Sequence, residues 1–254
     1  EAIPALRGVD LHVPAGAHLG LVGRTGSGKT TIGRLLARIW DVPPGSGTVR
    51  VGGTDVRALT LEALRDRVAV VTQDVELFRA SVRDNLTLFG RRAATDDELR
   101  AVLGEVGLGA WVDALPDGLD TRLSGSHGLS AGEGQLLAFA RAFLAEPSVV
   151  VLDEASSRLD PVTERRITRA TERLLTGRTA VIIAHRLDTL DRVDQIAVLD
   201  HGRVAEQGPR AALAADPTSR YAGLRRTARV ADAAVAVDDA TEPGLSEEVV
   251  AGLF

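Results

Sequence analysis

The sequence predicts an α/β fold with buried parallel strands, and three observations predict it. Val149 to Leu152 in SVVVLDE and Thr179 to Ile183 in TAVIIAH are continuous apolar runs of strand length, the pattern of strands covered on both faces. Between them PVTERRITRATERLL has helical texture and opens on Pro161, a residue suited to the first turn of a helix. Near the start, AHLGLVG (17–23) runs into the Gly-rich GRTGSGKT and then TIGRLLARIW, which reads strand, loop, helix. In 254 residues, one large core with a small appended subdomain is the expectation.

The remaining elements follow in order. GTVRVGG and RVAVVTQ give two more strands around a short amphipathic piece, LEALRDR. From Ser81 the texture turns polar and helix-prone, with Thr95 placed to cap a helix and Glu98 three residues on. This helical insert reaches the Gly- and Ser-rich loop SGSHGLSAGEG. With the apolar helix QLLAFARAFLA that follows, the helical subdomain spans about 81–145. QIAVLD and RVAEQG form a closing strand pair around Asp200, His201 and Gly202. Residues 1–226 thus read as one domain, and 227–254 as an acidic, Ala-rich, flexible tail. No internal repeat is present.

Composition excludes several function classes. Apolar residues are 44% of the chain and aromatics only 3%, so Leu, Val, Ile and Ala must build the core, which argues against an aromatic platform for nucleic acid. Net charge is -5, so no basic field holds nucleic acid or an anionic membrane, and no nucleic-acid partner is expected. The absence of Cys removes disulfides, thiolate zinc sites and cysteine nucleophiles. No apolar run is long enough for a membrane helix, and with no initiator Met or leader pattern the chain reads as part of a longer polypeptide. Of the 30 basic residues only Lys29 is a lysine, which singles out that site as one needing a compact ammonium.

GRTGSGKT, Gly23 to Thr30, satisfies the phosphate-loop pattern G-x-x-x-x-G-K-[ST] between a strand and a helix. Gly26 and Gly28 let backbone N–H groups converge on phosphate oxygens, and the helix that follows adds its positive end. Lys29 would reach the β/γ-phosphates and the Thr30 hydroxyl would ligate Mg²⁺. VVVLDE then ends a buried strand on two carboxylates: Asp153 suits Mg²⁺, directly or through water, and Glu154 suits the general base that polarises the attacking water. His185 follows another strand and could bond a γ-phosphate or that water, and Gln73, after VAVVT, could meet Mg²⁺ or water. His12, His18, His127 and His201 show no metal-ligand spacing.

In order, GRTGSGKT, VTQD, LSAGE, VVVLDE, SRLD and AHR resemble the nucleotide-binding domain of ATP-binding cassette (ABC) transporters, from Ala5 to about Arg226. The resemblance implies a P-loop NTPase fold, α/β with a RecA-like core, an antiparallel β subdomain and the inserted α-helical subdomain. It implies ATP and Mg²⁺ as ligands, bound through Gly23, Arg24, Thr25, Gly26, Ser27, Gly28, Lys29, Thr30 and Thr31. It further implies a head-to-tail dimer with a second nucleotide-binding domain, identical or different, in which LSAGE is the signature that meets the partner's ATP through Ser130, Gly132 and Glu133. Gln73 becomes the Q-loop residue, Asp160 the D-loop residue and His185 the switch histidine. VTQDVELFRASVRDNL looks more like exporters than importers. Transmembrane domains in the same or a partner chain, and a place at the cytoplasmic face of the cell membrane, are implied with it.

Three departures stand out. The signature has Ala131 and Glu133 where the family usually has Gly and Gln, and a carboxylate beside ATP would repel phosphate unless it turned toward the ribose hydroxyls. No aromatic precedes Trp40, so the family's adenine-stacking residue is not in this sequence. SGSHG lacks the Glu often found before the exporter signature. The leading expectation is the ATPase domain of an ABC exporter. The alternatives are a soluble ABC ATPase outside transport, which usually carries long coiled-coil or basic insertions, and a nucleotide-gated module that does not hydrolyse, which Glu154 and His185 disfavour.

Overall fold

The computed structural model describes residues 4–72, 75–123, 129–153, 160–184 and 187–228. Strand β1 (His18–Val22) leads into helix α1 (Lys29–Leu36), followed by the two-residue strands β2 (Arg50–Val51) and β3 (Thr54–Asp55), α2 (Leu61–Arg65) and β4 (Val68–Val71). The insert holds α3 (Val82–Thr87), α4 (Asp96–Glu105) and α5 (Gly109–Asp113), and ends in the long α6 (Ala131–Ala145). Then come β5 (Val149–Asp153), α7 (Pro161–Leu175), β6 (Thr179–Ile183), β7 (Gln195–Asp200), β8 (Arg203–Pro209) and α8 (Arg210–Ala215), with a last helical segment at 220–228.

Six strands form one sheet in the order β4-β5-β6-β1-β7-β8. The first five are mutually parallel and β8 returns antiparallel to β7 through the left-handed turn at His201 and Gly202. β2 and β3 form a separate antiparallel pair. The parallel strands explain the unbroken apolar runs: both faces of the sheet are covered, so successive side chains point into two different cores. Val150, Leu152, Ala180, Ile182, Ile196 and Val198 enter one core together with Leu136, Leu137, Phe139 and Phe143 of α6 and Leu174 of α7. Val151, Val181, Ile183, Ala197, Leu199, Leu19 and Leu21 enter the other, against Ile32 of α1 and Leu64 of α2. The sheet therefore separates α1 from α6.

Helix starts follow local chemistry. Thr95 and Glu98 form the expected capping box at α4, and Pro161 opens α7 behind the cap Asp160. Ser81 with Asp84 at α3 repeats the box, a pairing the sequence reading did not name. β3 and α5 also went unread, being too short to show a period. No helix among the described residues is long and apolar enough to cross a membrane.

Candidate functional site

The phosphate loop sits at the carboxyl edge of the parallel strands, just past Val22. Its backbone takes left-handed turns at Gly26 (φ 79°) and Gly28 (φ 107°), the latter being the N-cap of α1. At Gly28 the turn is also crowded: a Cβ there would lie 2.6 Å from Leu6 Cδ2, so side chains are excluded by both φ and space. The loop is braced from outside. Gly202 N–H donates to Ser27 O at 3.1 Å, and Arg7 N–H donates to Gly202 O at 2.7 Å, tying the loop to the β7–β8 turn and the N-terminal segment. Nothing in the sequence signals this brace, because its members lie far apart in the chain.

Lys29 is only 6% exposed although it is charged. Its Nζ donates to Gly23 O at 2.7 Å and Arg24 O at 3.2 Å, so the ammonium lies across the mouth of its own loop. Burial pulls its pKa below the ordinary lysine value, and the negative charge of Asp153 pulls it partly back. Asp153 ends β5 in register with Ile183 of β6, which in turn pairs with Leu21 of β1, so carboxylate and loop share one edge of the sheet. Ser27 Oγ is buried with no hydrogen-bond partner. Arg24, Thr25, Gly26 and Thr30 are exposed, and Thr31 is half-buried in the first turn of α1.

This arrangement fits a nucleotide phosphate: a loop of backbone amides at a helix start, with one buried cation held in place by carbonyls that a phosphate can replace. It also fits Mg²⁺, since Thr30 and Asp153 offer hard oxygen donors at the same edge. Gln73, Glu154 and His185, read as metal-contacting, general-base and switch residues, lie outside the described residues.

The structure does not bring the signature to this loop. Ser130, Gly132 and Glu133 begin α6, which packs on the sheet face opposite α1. Glu133 folds back onto its own helix start: its Oε2 accepts from Ser130 N–H at 3.0 Å and from the Ser130 hydroxyl at 2.9 Å, while Ser130 Oγ accepts from Glu133 N–H at 3.3 Å. The S-x-x-E spacing carried that signal and was missed. Gly132 is buried in the first turn. Asp160 is exposed and caps α7, accepting from the amides of Val162 and Thr163 at 3.0 Å each, and the Thr163 side chain first, then these amides, hold its carboxyl below the usual range.

Among known proteins, a family model described as ABC transporter matches residues 6–157. The chain is 43% identical over 226 residues to an uncharacterized ABC transporter ATP-binding protein, YknV, of Bacillus subtilis, covering 88% of this chain and 37% of that protein. It is 43% identical over 225 residues to an ATP-dependent lipid A-core flippase of Thiobacillus denitrificans (87% and 38%), and 44% identical over 207 residues to the multidrug efflux ATP-binding/permease protein Rv0194 of Mycobacterium tuberculosis (81% and 17%). Among solved structures it is similar to a bacterial Atm1-family ABC exporter with ATP bound, at a TM-score of 0.77 and 35% identity, over 88% of this chain and 38% of that one. The chain thus spans less than two fifths of the length of these proteins.

Proposed function

The chain belongs to the ABC transporter family, and from that premise we propose that it is the ATP-hydrolysing domain of an exporter, working as one half of a nucleotide-closed pair. The observation that carries this reading is the separation of Lys29 from Ser130 by the central sheet. One copy has a phosphate loop and a signature that cannot meet within the chain. A second domain, identical or related, set head to tail would place its Ser130 counterpart over the nucleotide on this chain's Lys29.

In this reading Gly26, Gly28 and Lys29 hold the β- and γ-phosphates, and Thr30 and Asp153, with Gln73, hold Mg²⁺. Bound there, Mg²⁺ neutralises phosphate charge. Glu154 takes the proton of the attacking water, and His185 orients the γ-phosphate. The two domains approach when nucleotide binds and part after hydrolysis, and membrane domains outside this chain use that motion to move a solute. The names of the flippase and efflux relatives support export and work at a membrane, and in this reading the domain sits at its cytoplasmic face. Residues 81–145 act as the helical subdomain, and the residues from 227 onward as an appended tail. The test is Mg-ATP binding by Lys29→Ala: the reading requires it to vanish while the fold, followed by circular dichroism, is kept.

A further inference from the structure

Past its first turn, α6 carries one charged residue, Arg141. Its half-buried guanidinium makes no ion pair among the described residues. Instead Nε donates to Asn85 O at 2.7 Å, Nη2 to Asn85 Oδ1 at 3.0 Å and Nη1 to Glu76 O at 3.1 Å, and the group lies 5.9 Å from the centre of the Phe78 ring. Asn85 is fully buried and completes the bracket: Nδ2 donates to Phe78 O at 3.0 Å and Ser81 O at 2.9 Å, while Oδ1 accepts from Phe78 N–H at 2.9 Å. Residues 75–80 belong to neither helix nor strand; side chains from α3 and α6 bond the backbone of Glu76 and Phe78, while Arg79 O accepts from Arg122 Nη2 at 2.8 Å and Ala80 O from Leu123 N–H at 2.9 Å.

A second contact reaches the head of α6. Leu77 Cδ1 lies 3.6 Å from where a Cβ on Gly134 would stand, so this segment runs beside the first turn of the helix as well as its third. On the outer side Phe78 (38% exposed) meets Phe89 (59% exposed) edge to face, with ring centres 5.2 Å apart. Phe89 and the adjacent Leu88 hold left-handed backbone conformations (φ 60° and 52°), uncommon for such side chains, so the fold over-determines this exposed pair.

We propose that Arg141 is a positioning residue that rivets segment 76–81, and with it the exposed Phe78–Phe89 pair, to helix α6, so that a displacement of that surface reaches Ser130 at the head of the helix. Only a planar, forked cation spans Glu76 O and both oxygens of Asn85; a lysine ammonium is a single point. The helix is a stiff rod, and Ser130 lies roughly 16 Å along it from Arg141 at 1.5 Å per residue. The importance of Ser130 rests on the proposed function, whereas the rivet itself does not.

The test compares Arg141→Lys and Arg141→Met with the unaltered 254-residue chain by amide hydrogen exchange and steady-state ATPase kinetics. Exchange over 76–81 is expected to rise about tenfold or more in Arg141→Met, and less in Arg141→Lys, with β1, α1 and α6 unchanged. In both variants kcat is expected to fall about fivefold at unchanged KM, because the Lys29 loop is untouched. Unchanged exchange over 76–81 overturns the rivet, and a loosened segment with unchanged kcat overturns its link to Ser130. If Arg141→Met loses its fold, Arg141→Lys carries both readouts. An unaltered chain that turns over no ATP overturns hydrolysis by a pair of identical copies and leaves the exchange comparison to judge the rivet.

Discussion

Glu133 folds its carboxylate back onto Ser130, accepting both the amide and the hydroxyl of that residue within 3.0 Å. Thr95 and Glu98 make the same box at α4, so this is a helix-start device built into the signature, and it occupies the hydroxyl that a partner's nucleotide would use. A Gln at 133 keeps an oxygen for the cap and removes the charge. The double change Ala131→Gly with Glu133→Gln is therefore expected to raise the ATPase rate of the isolated chain several-fold, with little change in melting temperature. An unchanged rate means that this signature does not limit turnover and that another chain's signature does.

Lys29 is buried among the carbonyls of its own loop. Replacing it by Ala removes the buried cation of the loop, and calorimetric titration with Mg-ATP is expected to show no binding. Glu154→Gln is expected to bind Mg-ATP normally while turnover falls about 10²-fold or more, the scale of a lost general base. Near-normal turnover in Glu154→Gln would show that the base is another group.

The phosphate loop was legible in the sequence because its contacts are local: Gly23 to Lys29 include both the cation and the carbonyls it bonds. The β5 and β6 strands were legible for a different reason, since burial on both faces leaves an unbroken apolar run. What escaped notice depends on distant partners or on lone side chains. Arg141 reads as one polar interruption of an apolar helix, and its partners lie more than fifty residues away. The sheet between Lys29 and Ser130 is a property of topology, which no spacing between motifs encodes.

Asp55 offers a check on local electrostatics. Its carboxylate accepts from Arg57 Nη2 at 2.7 Å, Nε at 3.1 Å and the Arg57 amide at 2.9 Å, which together lower its pKa to about 2. A depressed carboxyl pKa stabilises the fold above the unfolded-state value, and that contribution is lost as pH falls toward about 2. An NMR titration is expected to place the Asp55 midpoint near 2, and Arg57→Ala is expected to raise it, with the amide of residue 57 still donating to the carboxylate. An ordinary midpoint in the unaltered chain rules out the fork.

The core under α6 sets the stability of the insert. Leu136 is fully buried between the sheet and the helices of the insert, so Leu136→Ala is expected to cost about 2–5 kcal/mol in chemical denaturation. A loss well under 1 kcal/mol would mean that α6 repacks, contrary to the dense contacts seen here.

The most direct measurement is the solution mass of Glu154→Gln with and without Mg-ATP. Closure of the Lys29 site by the Ser130 end of a second copy predicts a single mass without nucleotide, a doubled mass with Mg-ATP, and no doubling when Lys29→Ala is added. A mass that stays single at saturating Mg-ATP, or is doubled without it, contradicts nucleotide-driven pairing of this chain with itself.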